Sequence, residues 1–197
     1  MNVQIKTSAG INLIPLESKL YEYRTIFLTG EINQEMALEF AKQVMELVQQ
    51  NSKEEIKVII NSPGGEINAG MVIYDIIQST TTPIKLFCFG QAYSMAAVLF
   101  LSGQNGRYLF PNSKLMLHQP LIQTCPGGSA SSVKSLSDSL LREKNKMNAI
   151  ISKHTGMSLK QVAKITSHDN FFTAEESIKA NMADDIVSFD AIFKGGD

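Results

Sequence analysis

An α/β fold is predicted by three features of the chain. Short apolar, β-branched runs at Thr25–Thr29, Ile56–Ile60 and Ile84–Phe89 have the character of buried strands. Segments with helical spacing of apolar residues alternate with them, and that alternation implies this class. Glycine and proline punctuate the joints, at Gly30, at Ser62-Pro63-Gly64-Gly65, at Pro83 and at Gly90.

Taken in order, residues 1–18 mix polar and apolar side chains around Gly10 and Pro15 and read as an arm. The strand Thr25–Thr29 is ended by Gly30. Asn33 can cap a helix from Gln34 to about Gln50, which puts Met36, Phe40, Val44 and Leu47 on one face. After Ile56–Ile60 and its glycine loop, a helix is expected from about Ala69 to Gln78. Pro83 opens the next strand, Gly90 breaks it, and Met95–Leu101 has the composition of a buried helix.

Tyr108–Phe110 and Lys114–Leu117 are two further short strands, the second delivering His118 at its C-terminal end. Gln123–Ser132 is rich in Gly, Ser and Thr and holds Cys125 and Pro126. A long helix from about Val133 to His154 follows, closed by Gly156. Ser158 with Gln161, and Thr173 with Glu176, form capping boxes for two more helices. Between them lies a polar loop, Ser167-His168-Asp169-Asn170, ahead of Phe171-Phe172. Ile186-Val187 reads as a last strand. Neither a repeat nor a low-complexity tract is visible.

Size fits one domain with room for a projecting element, since 197 residues at 44% hydrophobic content can bury a substantial core. Lys plus Arg number 18 against 19 Asp plus Glu, which argues against nucleic acid as a partner. The longest wholly apolar run, Met95–Leu101, is too short to span a bilayer. Met1-Asn2-Val3-Gln4 does not open a secretory signal. Two cysteines make no disulfide framework, so a reducing cytoplasm is the expected location. With three histidines besides, a Cys/His zinc site is disfavoured, and neither metal nor cofactor is expected.

Ser94 stands at the strand-to-helix turn, where helix amides are unpaired. It can cap the helix, as serine often does, or act as a nucleophile whose oxyanion meets the Met95 amide. The surrounding residues are not a G-x-S-x-G elbow. His118 is placed as a strand-delivered base would be, or as a satisfied core histidine. His154, in the last turn of a helix, suits a cation that complements the dipole. His168 is a loop residue. Asp169 could orient a histidine or simply make an Asx turn. Gly64-Gly65 allows close backbone approach to a ligand, or is only a turn. No lysine follows at P-loop spacing.

The order glycine loop, serine, histidine, aspartate resembles the family of proteolytic subunits of the Clp protease (ClpP). The similarity runs from about residue 3 to residue 189. It is carried by Ile26-Phe27-Leu28-Thr29-Gly30, Ile60-Asn61-Ser62-Pro63-Gly64-Gly65, Ala69-Gly70-Met71, Gly90-Gln91-Ala92, Ser94-Met95, Pro111-Asn112-Ser113, His118-Gln119-Pro120-Leu121, His154-Thr155-Gly156 and Asp169-Asn170-Phe171. The resemblance implies the ClpP/crotonase fold, a spiral of ββα units with a projecting helical handle. Residues 1–18 would be an axial arm, 19–122 and 155–193 the head, and 123–154 the handle.

By motif position Ser94 would be the nucleophile, His118 the base and Asp169 its orienter, with the amides of Gly65 and Met95 as oxyanion hole. The family further implies serine endopeptidase activity on unfolded polypeptides, in heptameric rings stacked as a tetradecamer. An AAA+ unfoldase, which uses the ATP, would feed them. A crotonase-like acyl-CoA enzyme would need no Ser-His-Asp set, so that rival is disfavoured.

Departures from the family pattern set further expectations. Ser132 and Lys134 replace an acidic pair in the handle, and His168 replaces an arginine beside Asp169. Both ends of an inter-ring ion pair are thereby lost, which predicts a weaker double ring, a single heptamer, or dependence on a paralogous ring. A catalytically latent subunit, mainly a structural partner, is the corresponding alternative. Tyr93 stands where the family has a small residue and is expected to alter specificity. Lys57, Ile59 and Ser79 replace aromatic residues of an outer groove, with Tyr108 retained, which predicts weak docking of the usual unfoldase.

Overall fold

The computed structural model describes residues 1–7, 10–121 and 128–193. Cys125, Pro126 and the first residues of the expected handle, 123–127, lie outside them. Asn2–Thr7 (β1) and Gly10–Pro15 (β2) pair as an antiparallel hairpin apart from the main sheet. Leu16–Glu22 (α1), which the sequence pattern did not reveal, follows it.

The head is built on a mostly parallel sheet. Thr25–Ile32 (β3), Ile56–Gly65 (β4) and Ile84–Tyr93 (β5) lie side by side in that order. Arg107–Leu109 (β6) and Asp185–Ile186 (β9) extend the row beyond β5. Gln34–Gln50 (α2), Ile67–Ser79 (α3) and Met95–Leu101 (α4) are the crossover helices. Their apolar faces and the sheet share one core that includes Phe40, Leu47, Ile73, Leu86, Leu99 and Phe100. The α/β expectation is met.

The strands run further than their apolar stretches. β3 passes through Gly30 with a register shift between Thr29 and Glu31, and β4 shifts between Ile60 and Ser62 before reaching Gly65. β5 does not stop at Phe89. Gly90, at φ +90°, is where its partner changes: Leu86–Cys88 pair with β6, while Gln91–Tyr93 pair with Lys114–Leu117 (β7). The Ser113 hydroxyl fixes that change, donating to the Cys88 carbonyl at 2.7 Å and accepting from the Gly90 N–H at 3.2 Å. Glycine punctuation therefore marks bends within strands here rather than their ends.

Ala130–Thr155 (α5) begins ahead of the predicted start because Ser129 accepts from the Ser132 N–H as its cap, a signal without apolar periodicity. Gly156, at φ +75°, closes it. Leu159–Ile165 (α6) and Ala174–Lys179 (α7) carry the two predicted capping boxes. Asn170–Phe172, expected as loop and apolar pair, is a strand (β8) that pairs antiparallel with β7. Buried Arg24 donates to the carbonyls of Leu47, Asn51, Glu54 and Glu55, satisfying the end of α2. A closing 3-10 turn, Phe189–Ile192, lays Ile192 against Ile59, Phe87 and Phe110, so Ile59 is buried rather than offered on an outer groove.

Candidate active site

Strand register brings three distant residues together. Tyr93 is paired with Met116 across β5 and β7, and the next residue, Ser94, donates its N–H to the Met116 carbonyl at 2.8 Å. His118 follows the end of β7 immediately. On the other side, Leu117 of β7 faces Asn170 of β8. Continuing that antiparallel register by one rung sets His118 opposite Asp169. Serine, imidazole and carboxyl thus arrive on neighbouring strand ends.

Ser94 is held at φ 54°, ψ −122°, a backbone conformation that costs a non-glycine residue about 1–3 kcal/mol. Its carbonyl accepts from Val98, but its side chain makes no capping hydrogen bond. The capping alternative is therefore ruled out. Instead Oγ lies 2.7 Å from Nε2 of His118. The other ring nitrogen, Nδ1, is 3.4 Å from Oδ1 of Asp169. That contact is not a hydrogen bond, and Nδ1 is sealed from solvent with no hydrogen-bond partner among the described residues. The His118 side chain is 14% exposed and that of Asp169 62%.

The glycine loop presses against this turn. A Cβ on Gly64 would meet the Tyr93 carbonyl at 2.7 Å and the Ser94 Cβ at 2.8 Å. The Gly64 N–H is taken by the Ser62 hydroxyl at 3.1 Å. Glu66 donates to the Ile32 carbonyl, so in a parallel ladder the Gly65 amide points away from β3. A Cβ on Gly65 would collide with Ile32, and one on Gly70 with the Met95 side chain. Met95 is thus seated under α3 with its amide at the start of α4. A groove of about 300 Å³ is lined by Gly64, Gly65, Ser94, Met116, His118 and Leu121, among others.

The remaining sequence candidates separate. His154 does not serve as a cation for the helix dipole. Its Nε2 is 3.0 Å from the Tyr74 hydroxyl, and burial, with Lys153 and Arg107 nearby, lowers its pKa to about 4. The imidazole is therefore neutral near pH 7. His168 is exposed, with the Ser167 hydroxyl beside it, and Ser132 and Lys134 are exposed on α5. Burial pushes the Cys88 thiol up to about 12 despite its hydrogen bond with Ser113, which makes it a poor nucleophile. Tyr93 is not part of the groove wall; its ring packs edge-on against Phe171 at 5.5 Å. A role in narrowing the pocket is not what this placement supports. Ser113 was missed as a support, although it lies in the quoted Pro111-Asn112-Ser113.

Chemically, such an arrangement can move a proton from a hydroxyl to an imidazole. Residues 9–190 match the family model described as Clp protease. The chain belongs to the Clp protease family. A peptidase is what that membership implies, and the match extends over nearly the whole chain. Among the described residues no helix is long and apolar enough to cross a membrane, and no group of three or more His, Cys, Asp or Glu could hold a metal ion.

Proposed function

We propose that this chain is the proteolytic subunit of an ATP-dependent Clp protease, a cytoplasmic serine endopeptidase that cuts unfolded polypeptides to short peptides. The observation that carries it is the 2.7 Å approach of Ser94 Oγ to His118 Nε2 on a backbone that withholds Ser94 from capping. In this reading His118 takes the Ser94 proton as Oγ bonds to the substrate carbonyl carbon. The displaced carbonyl pair settles on oxygen, received by the N–H groups of Gly65 and Met95. Collapse breaks the C–N bond, and His118 returns its proton to the departing amine. Water repeats the sequence to free the acid and restore Ser94. Asp169 steadies the Nδ1–H tautomer. Side chains and water suffice, so the subunit itself uses no cofactor.

Assembly belongs to the same proposal: heptamers stack to a tetradecamer, alone or with a paralogous ring, under an AAA+ unfoldase that spends the ATP. A latent subunit is the second reading, and a specific observation favours it for the lone chain. His118 Nδ1 has no hydrogen bond, and no lysine or arginine is paired with Asp169 among the described residues. Labelling with a fluorophosphonate probe tests both. Rapid Ser94-dependent labelling of the lone chain supports the peptidase. Labelling only after a partner ring is added supports latency, and none in either state overturns the assignment of Ser94. Sedimentation of the lone chain as a stable, fully active tetradecamer would contradict the expected weak ring.

A further inference from the structure

Tyr93, Met116 and Phe171 stand in one row across three strands. Tyr93 of β5 pairs with Met116 of β7, and Met116 pairs with Phe171 of β8. Directly paired residues share a face of the sheet, so the three side chains rise from the same side. Alternate residues along a strand share that face too. Two positions after Met116 comes His118, and both line the groove at Ser94. Two positions before Phe171 comes Asp169, whose carboxyl lies 3.4 Å from His118 Nδ1.

β8 is lightly held. It has three residues, pairs with β7 alone among the described residues, and follows directly on the exposed acid. Phe172 anchors the opposite face of β8 against the core. On the Asp169 face, Phe171 is 54% exposed and meets the Tyr93 ring edge-on, with centroids 5.5 Å apart and planes at 85°. Neighbouring strands lie about 4.8 Å apart, so Tyr93 spans roughly 10 Å from β5 over β7 to make that contact. A small residue at position 93 would stop short of β8. The ring thus ties the strand that ends at Ser94 to the strand that begins after Asp169, on the face where acid and imidazole meet.

We propose that Tyr93 is a positioning residue for Asp169: through Phe171 it holds β8 against β7 and keeps the carboxyl opposite His118. Edge-to-face ring pairs add attraction beyond the area they bury. The Tyr93 ring gives no atom to the groove wall, so it acts on the acid and not on the choice of substrate. The inference rests on the peptidase reading for the reaction it serves, but half of its test does not depend on turnover.

Hydrolysis of an unstructured peptide is compared in full-length wild type, Tyr93→Ala, Tyr93→Phe and Phe171→Ala, each with and without Asp169→Asn. Phe171→Ala removes the same contact from an exposed position, should Tyr93→Ala fail to fold. Either ring deletion should lower kcat about threefold at unchanged KM, the scale of one ring pair, while Tyr93→Phe stays near wild type. In the Asp169→Asn background the same deletions should cost nothing further, because their effect runs through the carboxylate. Without substrate, hydrogen exchange of the Asn170–Phe172 amides should quicken about threefold or more on either deletion. An unchanged kcat overturns the proposal, as does an equal loss in the Asp169→Asn background, or exchange in β8 that neither deletion moves. If wild type proves inert while a ring deletion quickens β8 exchange, the peptidase assignment falls and the hold on β8 stands.

Discussion

Ser94 and Asp169 approach the same imidazole from opposite sides, and the two sides are held very differently. On the serine side, the main-chain hydrogen bond from Ser94 to Met116 and the packed glycine loop hold the turn that sets the hydroxyl 2.7 Å from Nε2. On the acid side, an exposed carboxylate at the end of a three-residue strand stands 3.4 Å from Nδ1 without hydrogen-bond geometry. The serine half is thus set by the fold of one chain. The acid half is exposed, and a closer Asp169 would pair a sealed Nδ1 whose unpaired burial costs about 1–3 kcal/mol. Activity that depends on a partner ring would find its adjustable contact there.

The largest effect should come from disturbing the tight half. Gly64→Ala places a methyl against the Tyr93 carbonyl and the Ser94 Cβ at a φ of +97°. Peptide hydrolysis should fall about 100-fold or more, with roughly 2–3 kcal/mol lost in urea denaturation. Near-normal turnover would show that the glycine contact does not position Ser94. Asp169→Asn probes the loose half. A fully aligned acid is worth about 10⁴-fold in kcat, whereas in the lone chain the loss should stay below roughly tenfold and grow only when a partner ring is present. A loss of about 10³-fold in the lone chain would erase the contrast between the halves.

Tyr93 links the two, because its ring packs on Phe171 of β8, two residues from Asp169. Tyr93→Ala should cost about 1–2 kcal/mol in thermal denaturation, with Tyr93→Phe close to neutral, and should leave cleavage-site preference unchanged. A changed preference would restore the expectation drawn from the sequence.

His154 gives the smallest effect and a control outside the site. Its folded-state pKa, about 4, lies below that of an unfolded histidine near 6.5, so the unfolded chain takes the proton first. Stability is therefore full above about pH 6.5 and declines as pH falls toward 4. The half-exposed ring limits this to roughly 1 kcal/mol. Urea titrations at about pH 7 and pH 5 should show the decline, and His154→Gln should flatten it.

Much of this was legible in the sequence, and the exceptions share a cause. The turn at Ser94 could be read because Gly90, the apolar strand before it and Met95–Leu101 are local signals. The capping boxes at Ser158 and Thr173 are local too, and both formed. β8 escaped notice because Asn170–Phe172 is extended only through its pairing with β7, a long-range contact. His154 was misjudged because spacing along a helix does not report what packs against its end, here Tyr74 and Arg107.

Between His118 and Asp169 the chain leaves the sheet, runs out along α5, and re-enters at β8 on the rung beside its point of departure. Nothing in that return depends on how far the excursion travels. Insertions or deletions in residues 128–146 should therefore change the reach of α5 while leaving the imidazole and carboxyl facing each other. Such a layout lets the helix between them vary in length without disturbing the pair.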